Sequence, residues 1–275
     1  MKRSNKRLLS IFSLVGALIF GLGAYAYNIN IESKPQVSLE VQILPANKSL
    51  RIGERYTYLV RWMGIPIGYT SLHVKEIVKL NGRETYHIIA EAESNEFLSK
   101  FYRVKDVVHT YIDKEELYSV RFEKYQYEGG YRSEEIIEFD QNNHRATYKS
   151  LLNKSIKEFE IPEKVQDAAS CFYYFRLLDV EVGKSYFLNV NCDEKNWQLE
   201  AKVLDAKPIE LRKIGVINAF IVEPYPKFRG FFVKRGRVWA YFSADEGRVP
   251  LLFKMQSPWG IVTGEITNYS KSIKK

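Results

Sequence analysis

Four histidines, His73, His87, His109 and His144, are the side chains of this sequence best suited to acid–base or metal chemistry. His73 and His87 flank Asn81-Gly82, the dipeptide that most strongly signals a two-residue hairpin, because both of its positions accept a positive φ. With that turn Leu80 pairs with Arg83, His87 faces Glu76, and His73 faces Ala90. Positions 73 and 76 differ by an odd number, so strand alternation sends the two imidazoles to opposite faces, where they cannot share a metal ion. The His87–Glu76 pair could orient an imidazole for proton transfer, or it is a solvated cross-strand pair of the ordinary kind. Glu115-Glu116 and Glu134-Glu135 are adjacent in sequence, so in strands their carboxylates diverge. No nucleophile elbow, His-Glu-x-x-His pair, phosphate-binding Gly-rich loop or calcium loop occurs. The sequence therefore predicts no catalytic residue, no metal and no cofactor.

Three segments read instead as binding surface. Between residues 225 and 242, Lys227, Arg229, Lys234, Arg235 and Arg237 interleave with Phe228, Phe231, Phe232, Trp239 and Tyr241. Cations beside aromatic faces suit anionic head groups or acidic glycans, and single-stranded nucleic acid in a cell compartment that holds it. The alternative is a hairpin with a solvated basic turn and its aromatics in the core. Gly64-Ile65-Pro66-Ile67-Gly68 is an apolar loop that either rims a pocket, through Ile65 and Ile67, or makes a tight buried corner. The third is the aromatic run Phe172 to Phe175, which either plugs the hollow of a curved sheet or acts as a lid over a cavity there.

The elements that must position these residues are mostly strands. At 45% apolar and 27% charged, the 275 residues can bury a substantial core and are neither disordered nor a multi-pass membrane protein. Their 19 Tyr and 16 Phe favour sheet. From Arg51 onward, alternating runs recur with turn residues every 8–14 positions, the signature of an antiparallel meander. One segment breaks this rhythm: after Asp167, Ala168, Cys171, Phe172, Phe175 and Leu178 fall on one face of a helix, with Asp167 able to cap its N-terminus. The reading is a curved antiparallel sheet, a half-barrel meander with one central helix at about 167–178, forming a single domain over 51–270.

Ahead of that domain, Lys2, Arg3, Lys6 and Arg7 precede an uncharged run from Leu8 to Tyr27 that ends in Ala24-Tyr25-Ala26. Basic, apolar and small-residue regions in that order predict an export signal over 1–26, with 27–50 a spacer. The alternative is an uncleaved anchor formed by residues 8–27. Either way the domain lies across the membrane from the cytoplasm, in the periplasm or envelope. Loss of 1–26 reduces the net charge from +8 to +4, too little for a nucleic-acid binder. Cys171 and Cys192 both fall in the exported part, where they form either a bridge or two separate buried thiols.

Gly53 to Tyr58, Arg61 to Gly68, Asp167 to Gly183 with its helix, and Arg237 to Pro250 together resemble the bacterial exported family known as domain of unknown function 3108. That resemblance implies a curved, largely antiparallel envelope sheet, broadly similar to the half-barrels of lipoprotein carriers, and it supplies no activity or catalytic residue. The function expected is non-enzymatic: an apolar or amphiphilic, lipid-like ligand held in the concave face, with Phe172, Phe175, Ile65, Ile67, Phe231 and Trp239 as contacts. Lys227, Arg229, Lys234, Arg235 and Arg237 would touch an anionic surface such as a membrane. The alternatives are an envelope scaffold that binds another component, by strand addition or through the basic hairpin, and an enzyme acting on an envelope polymer.

Overall fold

The computed structural model describes residues 49–228, 231–232, 236–258 and 260–270. The predicted signal and most of the spacer lie outside them, as do Arg229, Lys234 and Arg235. The first half is a meander: β1 (Arg55–Trp62), β2 (Ile65–Leu80), β3 (Arg83–Ser94), α1 (Glu96–Ser99), β4 (Lys105–Asp113), β5 (Ser119–Glu128), β6 (Tyr131–Asp140), β7 (Arg145–Ser150) and β8 (Ile156–Glu160). A short β9 (Gln166–Asp167) and α2 (Ser170–Leu177) then lead to β10 (Ser185–Cys192), β11 (Lys195–Leu211), β12 (Gly215–Phe228), β13 (Phe231–Phe232), β14 (Arg237–Ser243), β15 (Pro250–Ser257) and β16 (Gly260–Ser270).

All strands join one sheet in the order β8-β7-β6-β5-β4-β3-β2-β1-β16-β15-β14-β12-β11-β10-β9, with β13 hydrogen-bonded to β12. Every pairing is antiparallel except β9 with β10. The order is that of a sheet curling on itself, and its two far ends meet without closing into a barrel. Lys157 pairs with Glu194 at 2.7 Å, Asn196 donates to the Glu160 carbonyl at 2.7 Å, and Asn189 donates to the Glu163 carbonyl at 3.0 Å. The Gln166 side chain donates to the Leu117 carbonyl at 2.9 Å, tying β9 toward the start of β5. Side chains therefore cross a seam that no ladder spans. This protects two edges that would otherwise present unpaired backbone groups.

Alternation places Tyr58, Val60, Leu72, Ile88, Val108, Ile112, Phe242, Leu251 and Phe253 inside, where all are buried. The Asn81-Gly82 turn forms as its residues require, with φ of 49° and 84°. It pairs Leu80 with Arg83 and Glu76 with His87. Beyond that pair a bulge between Val74 and Glu76 shifts the register by one. His73 consequently faces Ile89 rather than Ala90. This corrects the sequence reading: His73 and His87 share the outer face.

The interior of the curl holds α2. The helix is shorter than the sequence suggests, because Gln166 and Asp167 pair with Val190 and Asn191 as β9 before it starts. Asp167 still serves the helix entry. Its Oδ1 accepts from the backbone N–H groups of Ala169 and Ser170 at 2.6 and 2.8 Å, and its Oδ2 accepts from Thr110 and Ser119, both at 2.5 Å. Phe172 packs on Phe242 and Phe253, with centroids at 5.2 and 5.4 Å, and Phe175 packs on Phe242 at 5.3 Å. The helix plugs the hollow. Cys171 and Cys192 are buried as free thiols, so the structure has the two separate cysteines rather than a bridge.

Candidate functional site: an apolar rim at one end of the sheet

Because consecutive strands run antiparallel, the connections β1–β2, β3–β4, β5–β6 and β7–β8 all lie at one end of the molecule, side by side along the sheet. Each bears exposed apolar side chains. Met63 and Ile65 are 61% and 56% exposed on the first, Phe97 and Phe101 63% and 77% on the second, and Leu152 and Ile156 52% and 65% on the fourth; Tyr131 is exposed on the third. Isolated exposed apolar residues are ordinary, but a contiguous row over neighbouring loops is a surface with a purpose.

Local chemistry builds this row. Met63 and Gly64 take positive φ, 49° and 85°, which turns the chain in two residues and leaves Met63 and Ile65 outward. Asn95 caps α1 by accepting from the Leu98 N–H at 2.8 Å, while its side-chain amide donates to the Pro66 carbonyl at 2.8 Å. That residue joins the second loop to the first. The single turn of α1 buries none of its own residues, and the Phe97 and Phe101 rings meet edge to face at 5.7 Å in the open. Gly129 donates its N–H to the Arg103 carbonyl at 2.8 Å, joining the third loop, and its φ of 55° lets the backbone pass under the Tyr102 ring. A Cβ at Gly129 would stand 2.7 Å from that ring. Leu151 donates to the Glu134 carbonyl at 2.8 Å and completes the series.

Directly behind the rim the interior turns polar. Asp106 is buried, accepts the Tyr127 N–H at 2.8 Å, and neighbours Glu128, which receives the Gln126 amide at 2.8 Å. Burial raises the Asp106 carboxyl pKa despite the opposing Tyr127 N–H hydrogen bond and the Lys124 charge.

The residues singled out from sequence do not converge on one site. Phe172 and Phe175 belong to the core, and the space they were expected to line is filled by their own rings. Ile67 is buried and only Ile65 reaches the rim. Alternation puts Trp239 on the outer face, opposite Val238 and Phe242, with the Arg237 guanidinium stacked over it at 4.5 Å. Arg237 also makes a two-pronged pair with Glu223 at 2.7 and 2.8 Å, so it is not free to meet an anionic partner. Phe231 pairs with Phe228 and Lys227 with Phe232 through the backbone. Arg229, Lys234 and Arg235 lie outside the described residues. Nor is α2 able to swing as a lid. Buried Arg176 grips Glu54 at 2.6 and 3.3 Å and donates to the Tyr56 hydroxyl at 3.0 Å and the Arg248 carbonyl at 3.0 Å.

The outer face carries a second arrangement. His87 Nδ1 lies 3.4 Å from Glu76 Oε1 and its Nε2 lies 2.9 Å from His109 Nδ1; Tyr111 stacks on His87 at 4.6 Å. Burial lowers both imidazole pKa values, with Glu76 pulling His87 back up and Glu123 doing the same for His109. A neutral imidazole has one N–H and one acceptor nitrogen, so the 2.9 Å contact suits one ring donating to the other. Among the described residues no group of three or more His, Cys, Asp or Glu could hold a metal ion.

The Arg61-to-Gly68 opening, the α2 segment and the β14 strand thus occupy the heart of one sheet architecture. Residues 57–267 match the family described as "Protein of unknown function (DUF3108)", and the chain belongs to that family. Among solved structures it is similar to a beta-barrel-like protein of the domain of unknown function DUF1849 from Brucella abortus, with a TM-score of 0.54 and 9% identity over 82% of this chain and 100% of that one. A hypothetical protein from Chlamydia trachomatis, CT021, matches at 10% identity over 82% of this chain and 90% of its own, with a TM-score of 0.35. At these identities the first likeness speaks to the fold alone and the second carries no argument. No curated protein matches the chain.

Proposed function

We propose that this is an exported, non-catalytic envelope protein that engages an amphiphilic, lipid-like ligand through the apolar rim, rather than deep in the concave face. The observation that supports it is the row of exposed Met63, Ile65, Phe97, Phe101, Leu152 and Ile156 on adjacent loops. The interior around α2 is filled by Phe172 and Phe175, which leaves this end as the apolar surface open to a guest. Buried Asp106, Gln126 and Glu128 behind the rim add polar groups of the kind that orient an amphiphile. The export reading rests on the basic and apolar N-terminal residues. No helix among the described residues is long and apolar enough to cross a membrane.

Native mass spectrometry of the protein released gently from membranes tests this. A co-purifying lipid of defined mass is expected on the wild type and reduced on the Phe97→Asp/Phe101→Asp variant. Protein free of lipid that instead retains a second protein would replace this reading with that of a scaffold.

A further inference from the structure

We infer that the rim is also a docking surface for an anionic lipid bilayer, on which the molecule stands with its strands upright. The inference rests on the amphiphile reading for its chemistry but claims a different act, contact with a lipid surface rather than capture of one lipid. The shape of the rim argues for it first. Phe97, Phe101, Met63, Ile65, Leu152 and Ile156 sit on loop tips at one end of the sheet, so they project together and not into a groove. Such a set suits a plane. The α1 turn rests on the core through half-buried Leu98 and presents two aromatic rings outward, the form of an interfacial wedge.

Charge selects the plane. Exposed Lys100, Arg103, Arg132 and Lys154 stand on the same loops, against Glu96 on α1. Among the described residues no carboxylate pairs with Lys100, Arg103 or Lys154, and Asp193 and Glu194 nearby are engaged by Lys124 and Lys157. The opposite end is mixed: its connections carry Glu115-Glu116, Glu163, Glu181 and Asp245-Glu246 beside Lys114, Lys164, Lys184, Arg212, Lys213 and Arg248. An anionic surface therefore attracts the rim more than the mixed opposite end and orients the molecule before the rings touch. Each Lys or Arg near such a surface strengthens binding by about fivefold, and the effect fades within a Debye length.

The test uses the chain as recovered from cells, with an environment-sensitive label on Leu152→Cys and, separately, on Val216→Cys. Val216 is 69% exposed at the opposite end, and native Cys171 and Cys192 are buried away from the reagent. On phosphatidylglycerol-containing vesicles the label at 152 is expected to shift to the blue and the label at 216 to stay in water. The shift should fall on pure phosphatidylcholine and at high salt. Phe97→Asp/Phe101→Asp should weaken vesicle binding at least about tenfold with its circular dichroism unchanged, since both rings are exposed. A label at 152 that stays in water while the chain binds vesicles would assign binding to the N-terminal segment and overturn the inference. So would equal shifts at both positions. Loss of docking with a lipid still seen in the native mass spectrum would leave the amphiphile reading standing, and the reverse result would remove that reading alone.

Discussion

Arg176 links α2 to the start of β1 and to the β14–β15 turn from a buried position. Breaking such a pair strands a charge in the core. Arg176→Ala is expected to cost about 3–5 kcal/mol in urea denaturation, and the joint change Glu54→Leu/Arg176→Met far less. The imidazole pair makes a different prediction. Burial depresses the folded pKa values of His87 and His109 below the ordinary imidazole value of about 6.5, so the native state binds fewer protons than the unfolded chain in that range. Their contribution is complete above pH 6.5 and is lost as pH falls through the folded values. Urea midpoints measured between pH 7.5 and 5 should therefore decline, and His87→Phe/His109→Phe should flatten the decline. Half of this cluster was legible: the Asn81-Gly82 turn fixes the His87–Glu76 pairing by counting alone. His109 was not, because residues 95–104 between β3 and β4 hold a helical turn and an irregular stretch across which no register can be counted. The face of His73 was inverted by a bulge that leaves no mark in the residue types around Lys75.

Among the elements, α2 and the long strands show where sequence patterning succeeds and where tertiary context prevails. The apolar face of α2 was readable from spacing, and its role as a plug follows from the aromatic residues on that face. Being clamped, α2 should exchange its amide hydrogens only through global unfolding, at rates matching the denaturant-derived stability; fast exchange there would revive the lid. β2 crosses closely over β3 at Gly68, where a Cβ would meet the Glu93 carbonyl oxygen at 2.3 Å. Gly68→Ala should destabilise by about 1–3 kcal/mol, read as a lower urea midpoint. β11 is continuous through Pro208, and β12 extends through Pro224 and Pro226. Proline argues against a central strand, but Pro224 and Pro226 lie beyond Val222, where β14 stops pairing with β12. β8, β9 and β13 leave little trace in the sequence because five or two residues carry too little periodicity.

At the scale of the whole molecule, the class of fold was visible from composition and turn spacing, whereas the rim was not. Ile65 stood out within the apolar Gly64–Gly68 loop, but Met63, Phe97, Phe101, Leu152 and Ile156 looked like ordinary strand or connector residues. Their common end emerges only from the strand order, which sequence does not state. The placing of Phe172 and Phe175 in the core was hidden for a related reason: nothing in residue types distinguishes an aromatic that fills a hollow from one that lines it. The account now turns on the loops at one end being the working surface. Hydrogen–deuterium exchange of the protein with and without lysophosphatidylglycerol micelles tests this directly. Protection is expected over residues 62–66, 96–102 and 151–156, with the opposite connections 114–118 and 212–216 unchanged. Protection at those opposite connections, or none at the rim, would contradict it.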